Sequence, residues 1–289
     1  MSQLTFTLND GNKIPFLAFG TGTSHFKQDV TEPASLAIEK GFTHLDCAQV
    51  YQNEDTLGAA IKASGKPRES FFVTTKLSSA LEPGDTVSDA LRKSLTRLGL
   101  DHVDLYLIHG PRVSFKDNLK ETWKGMEEAK RAGLAKSIGI SNSGAPEIEE
   151  ILSVAEIVPA VNQIEFHPYF LSVHGTTYEL NKKHGILTAA YSGLAPLHKA
   201  KGGPLSPIID QLVETLSKRA GKPVSPAQVL GKWHQAKGNV LVSTSSKAER
   251  LEEYIAIPTL PDLTEAEVKL IDDIGRTHFF HLYVGILPV

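Results

Sequence analysis

Short apolar segments typical of β-strands alternate with amphipathic helical segments along most of this chain. Most of the strand-like segments are apolar throughout, as parallel strands covered by helices are. Eight strands, each followed by a helix, predict an α/β fold, a closed (β/α)8 TIM barrel rather than an open doubly wound sheet. The predicted strands are Leu17–Phe19, Thr43–Asp46, Phe72–Thr75, Val103–Ile108, Ser137–Ile140, Ala160–Ile164, Leu187–Tyr191 and Val240–Ser243.

The first residues predict an N-terminal β-hairpin ahead of the barrel. Leu4, Phe6 and Leu8 alternate with polar residues, and Asn-Asp-Gly-Asn at 9–12 supplies the turn. No linker interrupts the rest, so residues 1–289 are predicted to form a single barrel domain. The longest irregular stretch, 192–206, follows a predicted strand and is either an active-site loop or a surface insertion.

Composition excludes several classes of partner. The formal net charge is −3, and no basic patch is present to bind nucleic acid or anionic lipid. No apolar run reaches the ~20 residues needed to cross a bilayer, and the first residues lack the features of a signal peptide. Cys47 is the only cysteine, so no intrachain disulfide can form. We expect a cytoplasmic protein without nucleic-acid or membrane partners, and a monomer with a dimer as the alternative.

Four reactive side chains follow predicted strands. Asp46 ends the second strand, Tyr51 lies in the loop after it, Lys76 ends the third and His109 ends the fourth. In a barrel these carboxyl ends converge on one face, so the four groups could meet around one pocket. Each also has a structural alternative: Asp46 as a helix cap, Lys76 as a rim charge and His109 as a core histidine.

The four residue types together predict proton donation to an oxygen. A tyrosine with its ordinary pKa of about 10 is a slow proton donor at neutral pH, and a nearby ammonium lowers that pKa. A buried lysine needs a carboxylate to stay charged, and Asp46 could provide it. A histidine can then orient a carbonyl group or join the proton relay.

Other chemistries lack their motifs. The eleven histidines form no His-Glu-x-x-His or other close ligand spacing, so no metal site is predicted. There is no P-loop and no Gly-x-Ser-x-Gly nucleophile elbow. Gly20-Thr21-Gly22 lacks the rest of a Gly-x-Gly-x-x-Gly fingerprint, so a Rossmann-type dinucleotide site is not expected.

Six ordered motifs resemble the signature of the aldo-keto reductase family. They are Gly41-Phe-Thr-His-Leu-Asp46-Cys-Ala-Gln-Val-Tyr51, Val73-Thr-Thr-Lys76-Leu, Asp104-Leu-Tyr-Leu-Ile-His109, Ile138-Gly-Ile-Ser-Asn142, Val161-Asn-Gln-Ile-Glu-Phe-His-Pro-Tyr169 and Ala190-Tyr-Ser192. The resemblance covers nearly the whole chain. It implies that Tyr51 is the general acid, Lys76 its activator, Asp46 the partner of the lysine and His109 the group that orients the carbonyl.

The resemblance also implies an NADPH cofactor lying extended across the barrel mouth. Ser141, Asn142 and Gln163 would hydrogen-bond the nicotinamide carboxamide, and Tyr191 would stack on its ring. The segment at 243–250 would grip the 2′-phosphate, although its Ser-Thr-Ser replaces the family's usual Pro-Lys-Ser. The cofactor-binding residues predicted in this way are Gly20, Thr21, Asp46, Ser141, Asn142, Gln163, Tyr191, Ser192, Leu194, Thr244, Ser245, Ser246, Lys247 and Arg250.

The substrate pocket departs from many relatives at Gly110, where they have tryptophan. With Tyr51 and His109, Gly110 is a predicted substrate contact, and its lack of a side chain predicts a roomier pocket. Gly110, the 244–247 segment and Phe279-Phe280 resemble the fungal branch that reduces conjugated polyketones and ketolactones. The tail beyond Gly275 is short, so few of its residues are expected to line the pocket. The alternatives are an aldose reductase, a regulatory barrel that acts through a protein partner, and a barrel isomerase.

Overall fold

A computed structural model of the protein describes residues 4–78, 81–115 and 117–283. Two short strands form an antiparallel hairpin, and eight parallel strands form a closed barrel. The predicted barrel and hairpin are therefore confirmed. The strands are β1 (Thr5–Thr7), β2 (Lys13–Pro15), β3 (Leu17–Gly20), β4 (His44–Asp46), β5 (Phe72–Leu77), β6 (Val103–Ile108), β7 (Ala135–Ser141), β8 (Val161–Glu165), β9 (Leu187–Tyr191) and β10 (Val240–Ser243).

The barrel closes where its last strand pairs with its first. Leu241 of β10 pairs with Leu17 of β3, and the remaining strands follow in chain order around the barrel. The hairpin covers the amino-terminal end: Asn9 Nδ2 donates to the Pro159 carbonyl oxygen, and Asn12 Nδ2 donates to that of Lys136. One end of the barrel is thereby closed, which leaves the carboxyl end for a site.

Helices surround the barrel, and one side of each packs against it. In α3 the buried residues are Val87, Ala90, Leu91, Ser94, Leu95 and Leu98, as the helical period predicts. The helices are α1 (Thr31–Glu39), α2 (Glu54–Ala63), α3 (Val87–Leu98), α4 (Pro111–Ser114), α5 (Leu119–Arg131), α6 (Ala145–Leu152), α7 (Leu171–Lys183), α8 (Ala195–His198), α9 (Ser206–Ala220), α10 (Pro226–Ala236), α11 (Ala248–Ile255) and α12 (Glu265–Gly275).

Two regions differ from the sequence prediction. Helix α7 begins at Leu171, whereas the sequence predicts a helical segment only at Leu180–His184, because polar His174, Thr177 and Asn181 lie on the buried face and hide the apolar period. The irregular stretch at 192–206 contains the short helix α8. None of the helices in the described ranges is both long enough and apolar enough to span a bilayer.

Candidate active site

Lys76 and Asp46 form a buried ion pair at the carboxyl end of the barrel. Lys76 Nζ lies 2.6 Å from Asp46 Oδ1 and donates to the Cys47 carbonyl oxygen at 3.0 Å. The relative exposure of Lys76 is 0% and that of Asp46 is 2%. This geometry excludes the rim-charge alternative for the lysine. Burial alone would lower the pKa of Lys76, but Asp46 and Tyr51 beside it raise that pKa above its ordinary value, so the side chain stays an ammonium.

Tyr51 lies beside this pair because a single 3₁₀ turn, Gln49–Tyr51, follows β4. Gln49 Nε2 anchors the turn by donating to the Ala90 carbonyl oxygen and to Ser94 Oγ on α3. Lys76 Nζ lies 5.1 Å from the centroid of the Tyr51 ring. The ammonium therefore lies close to the phenol that it is expected to act on.

Lys76 lowers the pKa of Tyr51, as expected, but the net shift of that pKa is upward. Burial raises the pKa of Tyr51, and the negative charge of Asp46 adds to the rise. Lys76 acts in the opposite direction but does not outweigh burial. Tyr51 thus keeps its proton at neutral pH and is present in the form that an acid catalyst needs.

His109 directly follows β6 and faces the Tyr51 hydroxyl. Its Nε2 lies 3.4 Å from Tyr51 Oη, and the two rings are nearly perpendicular at 84°. Burial and the Lys76 ammonium lower the pKa of His109 to about 3. The imidazole is therefore neutral at physiological pH, so exactly one of its two nitrogens carries a hydrogen.

Hydrogen bonds connect the predicted nicotinamide-binding residues to the Asp46 carboxylate and to the backbone of His109. Gln163 Nε2 donates to Asp46 Oδ2 at 2.7 Å, and Asn142 Nδ2 donates to the His109 carbonyl oxygen at 2.8 Å. Tyr191 Oη in turn donates to Asn142 Oδ1 at 2.7 Å. These five residues come from five different strands or the loops after them, and the barrel brings them together at one end.

The other predicted cofactor-binding residues that precede the 243–250 segment lie around the same end of the barrel. Gly20 pairs with Asp46 between β3 and β4, and the Thr21 amide donates to the Asp46 carbonyl oxygen at 2.9 Å. Ser141 Oγ donates to the Gln163 carbonyl oxygen at 2.7 Å. Ser192 follows β9 with a left-handed φ of 55°, and the buried Leu194 lies just before α8.

The predicted phosphate-binding segment follows β10 and leads into α11. Because Ser243 pairs with Phe19 of β3, Thr244 begins the segment at the same end of the barrel as the four reactive groups. Ser245 is buried and its Oγ accepts the Lys247 amide at 3.0 Å, whereas Ser246, Lys247 and Arg250 are exposed.

Two features of this segment fit an anionic ligand. Thr244 Oγ1 is buried and finds no hydrogen-bond partner among the residues that the structure describes. The exposed Arg250 guanidinium makes no ion pair within the same part of the chain. A free hydroxyl and a free guanidinium beside a helix start suit a phosphate group.

Comparison with known proteins shows the family of the chain. The sequence profile described as "Aldo/keto reductase family" matches residues 17–276. The chain belongs to the aldo/keto reductase family.

Individual aldo/keto reductases match nearly the full length. The chain is 38% identical to an NADPH-dependent alpha-keto amide reductase of Saccharomyces cerevisiae, over 96% of this chain and 92% of that protein. It is 35% identical to an NAD/NADP-dependent indole-3-acetaldehyde reductase of Schizosaccharomyces pombe, over 93% and 94%. A crystal structure of a Bombyx mori aldo-keto reductase in complex with NADP superposes with a TM-score of 0.80 at 32% identity, covering 96% of this chain and 94% of that one.

In this aldo/keto reductase, Gly22 lies against the ring of Tyr51, the candidate general acid. A Cβ atom at position 22 would lie 2.8 Å from Cζ of the Tyr51 ring. The φ of Gly22 is −80°, so the requirement for glycine is steric rather than conformational. Sequence reasoning noted Gly22 only for the missing Rossmann fingerprint. A contact between the loop after β3 and the loop after β4 could be found only from the fold.

The carboxyl-terminal tail reaches this end of the barrel through Leu282 and Tyr283. The Leu282 amide donates to Oε1 of the buried Glu165 at 2.8 Å. Tyr283 packs edge-to-face on Tyr191, with 5.6 Å between ring centroids, and its hydroxyl lies 3.3 Å from Thr23 Oγ1. Gly110, the predicted substrate contact, precedes α4 on the rim.

Among the described residues, no three His, Cys, Asp or Glu side chains gather as the ligands of a metal ion would. Cys47 is buried, and its Sγ donates to the Thr74 carbonyl oxygen at 3.2 Å. It is therefore a packing residue, as its place next to Asp46 predicts.

Proposed function

We propose that this aldo/keto reductase reduces aldehydes and ketones to alcohols with NADPH, and that Tyr51 is the general acid. The observation that carries the proposal is the pair of groups 3.4 Å apart, Tyr51 Oη and His109 Nε2, beside the buried Lys76–Asp46 ion pair. A carbonyl oxygen that contacts both groups would receive a proton from the phenol while the imidazole holds it in place.

NADP(H) is the cofactor indicated by the relatives, one of which is named as NADPH-dependent and another of which was crystallised with NADP. When bound, the cofactor supplies a hydride to the carbonyl carbon. We assign its nicotinamide end to Gly20, Thr21, Ser141, Asn142, Gln163, Tyr191, Ser192 and Leu194. We assign its 2′-phosphate to Thr244, Ser245, Ser246, Lys247 and Arg250, which include the free hydroxyl and the free guanidinium.

In this mechanism the side chains of the site supply the proton and stabilise the negative charge that develops on oxygen. Tyr51 is protonated before reaction because burial keeps its pKa high. When its proton leaves, a phenolate forms near the Lys76 ammonium, and the attraction between the two charges grows as the proton moves. Asp46 keeps the ammonium charged and fixed in position throughout. Lys76 thus contributes mainly to the transition state rather than to the resting pKa.

We propose that the substrates are α-dicarbonyl compounds, conjugated polyketones or ketolactones. One yeast relative is named for alpha-keto amides, which contain an α-dicarbonyl group. Gly110 adds no side chain to the rim beside His109. Bulky, rigid carbonyl compounds should therefore fit this pocket better than they would fit a pocket lined by large aromatic residues.

The test begins with NADPH consumption by the wild-type protein against aldoses, aromatic aldehydes, α-diketones and ketolactones. With the best substrate, Tyr51→Phe is expected to lower kcat by about 10²- to 10⁴-fold, because it removes only the transferable proton. Quenching of NADPH fluorescence should be unchanged in the variant. Near-normal turnover would refute the role of Tyr51, and binding of NADPH without turnover of any carbonyl would favour a regulatory barrel.

Three further expectations belong to this proposal: one domain over residues 1–289, a cytoplasmic location and a monomeric state with a small carbonyl compound as its only partner. Light scattering on the purified protein measures the oligomeric state directly. A dimer would leave the proposed chemistry intact, since all four reactive side chains come from one chain.

A further inference from the structure

Ser78 contacts the side of His109 that faces away from Tyr51. Ser78 Oγ lies 3.0 Å from His109 Nδ1, whereas Nε2 of the same ring faces the tyrosine hydroxyl. Ser78 directly follows β5, two residues after Lys76. The sequence predicts that the strand ends at Thr75, so it gives no role in the site to Ser78.

Ser78 is held firmly in this position. Its amide donates to Gln49 Oε1 at 3.2 Å, and its carbonyl oxygen accepts from Ser114 Oγ at 3.1 Å. Its Oγ also accepts the Val50 amide at 3.3 Å. The turn that carries Tyr51 and the loop that carries His109 are therefore both tied to the same residue.

The hydroxyl of Ser78 has one hydrogen and two acceptors in reach. It can donate to His109 Nδ1 at 3.0 Å or to the Lys76 carbonyl oxygen at 3.2 Å. If it donates to Nδ1, the hydrogen of the neutral imidazole must lie on Nε2. If it donates to the carbonyl oxygen, Ser78 Oγ accepts from Nδ1–H and Nε2 is bare.

Only one of these arrangements suits the proposed reduction. A bare Nε2 would accept the hydrogen of Tyr51 and repel the lone pairs of a carbonyl oxygen. An Nε2–H group would instead donate to that oxygen and leave the tyrosine hydrogen free for transfer.

We propose that Ser78 is a positioning residue: its hydroxyl donates to His109 Nδ1 and thereby keeps the hydrogen of the imidazole on Nε2, where a substrate carbonyl oxygen binds. The inference rests on the proposed function for its consequence, but the tautomer is a property of the protein without substrate. Ser78 touches neither the substrate nor the reacting atoms.

The direct test is long-range 1H–15N correlation NMR on protein labelled at histidine nitrogen, because its pattern shows which ring nitrogen carries the hydrogen. His109→Asn identifies the His109 signals by their loss. We expect an Nε2–H pattern with a hydrogen-bonded Nδ1 in the wild type. In Ser78→Ala the Nδ1 resonance should move to that of a nitrogen without a donor, while Ser78→Thr should restore the wild-type signal.

The kinetic expectation is that Ser78→Ala lowers kcat/KM for carbonyl reduction about tenfold, the effect of one hydrogen bond, with unchanged NADPH binding. Ser153→Ala is the control, because it removes an exposed serine hydroxyl that donates to the Glu150 carbonyl oxygen and contacts neither Ser78 nor the imidazole. An Nδ1–H pattern in the wild type, or a Ser78→Ala variant with unchanged Nδ1 resonance and turnover, overturns the proposal. If the Tyr51→Phe variant kept its activity while the wild-type spectrum showed an Nε2–H imidazole, the proposed function would be rejected and the tautomer assignment would still hold.

Discussion

Arg250 lies in the first turn of α11 with its guanidinium exposed. If it grips the 2′-phosphate, Arg250→Ala should raise the Kd for NADPH about 10- to 100-fold, because a charge-assisted contact to that group is lost. NADH has no 2′-phosphate, so its Kd should stay the same. Titration by fluorescence quenching measures both constants.

Arg92→Ala is the control for that experiment, since Arg92 is an exposed arginine on α3. It should change neither constant. If Arg250→Ala weakened the binding of NADPH and of NADH equally, Arg250 would not be the residue that binds the 2′-phosphate.

The positions of individual site residues could be predicted where they follow recognisable strands. Asp46, Lys76 and His109 were found because each stands at or next to the end of an apolar segment, and the fold brings such ends together. The sign of the Tyr51 pKa shift could not be predicted, since it depends on whether burial raises the pKa by more than the Lys76 ammonium lowers it. Ser78 could not be predicted either, because serine is common in loops and only its distance to His109 gives it a role.

At the level of elements, α2 and α3 meet at a glycine. A Cβ atom on Gly58 of α2 would lie 2.4 Å from the Leu98 carbonyl oxygen at the end of α3. Gly58→Ala should therefore lower the free energy of unfolding by about 1–3 kcal/mol, because one helix must move away from the other. Urea denaturation measures the change.

Gly175 of α7 provides the matched substitution. A Cβ atom there would lie 3.5 Å from the nearest atom, Nη1 of Arg276, which is ordinary contact. Gly175→Ala should leave stability unchanged or raise it by up to ~1 kcal/mol through helix propensity alone. Equal effects of the two substitutions would show that the approach of α2 to α3 does not require glycine.

Elements were predicted well where one face is apolar and poorly where the buried face is polar. Helix α3 matches its apolar stripe throughout. The first turns of α7 were missed because its buried face contains a histidine, a threonine and an asparagine, which a hydrophobic pattern counts as exposed. The burial of such residues depends on partners in other elements, such as Asn162 of β8, whose Nδ2 donates to Asn181 Oδ1 at 3.4 Å.

For the whole molecule, buried histidines predict how stability depends on pH. Burial lowers the pKa of His44 to about 4 and that of His234 to about 3, from an ordinary value of 6.5. The unfolded chain binds these protons below pH 6.5 and the folded protein does not. Stability is therefore full above pH 6.5 and falls as pH drops towards 4, by about 3 kcal/mol for His44 alone.

The measurement is urea denaturation between pH 7.5 and 4. Asp104, whose pKa is lowered from 3.8 by Arg68 and Lys136 despite burial, changes stability only at lower pH and does not obscure this range. His44→Gln keeps a polar side chain next to Thr74 Oγ1 but cannot titrate, so its stability should depend less steeply on pH. Identical slopes for the variant and the wild type would contradict the assignment to His44.

Closure of the barrel between β10 and β3 has a consequence for synthesis. Until residue 243 has left the ribosome, β3 has no partner on one side, and a nascent chain that has begun to form the barrel sheet exposes two sheet edges. Open edges of apolar strands pair readily with other chains. The period of greatest aggregation risk therefore ends only when a segment of four residues, Val240–Ser243, becomes available to pair.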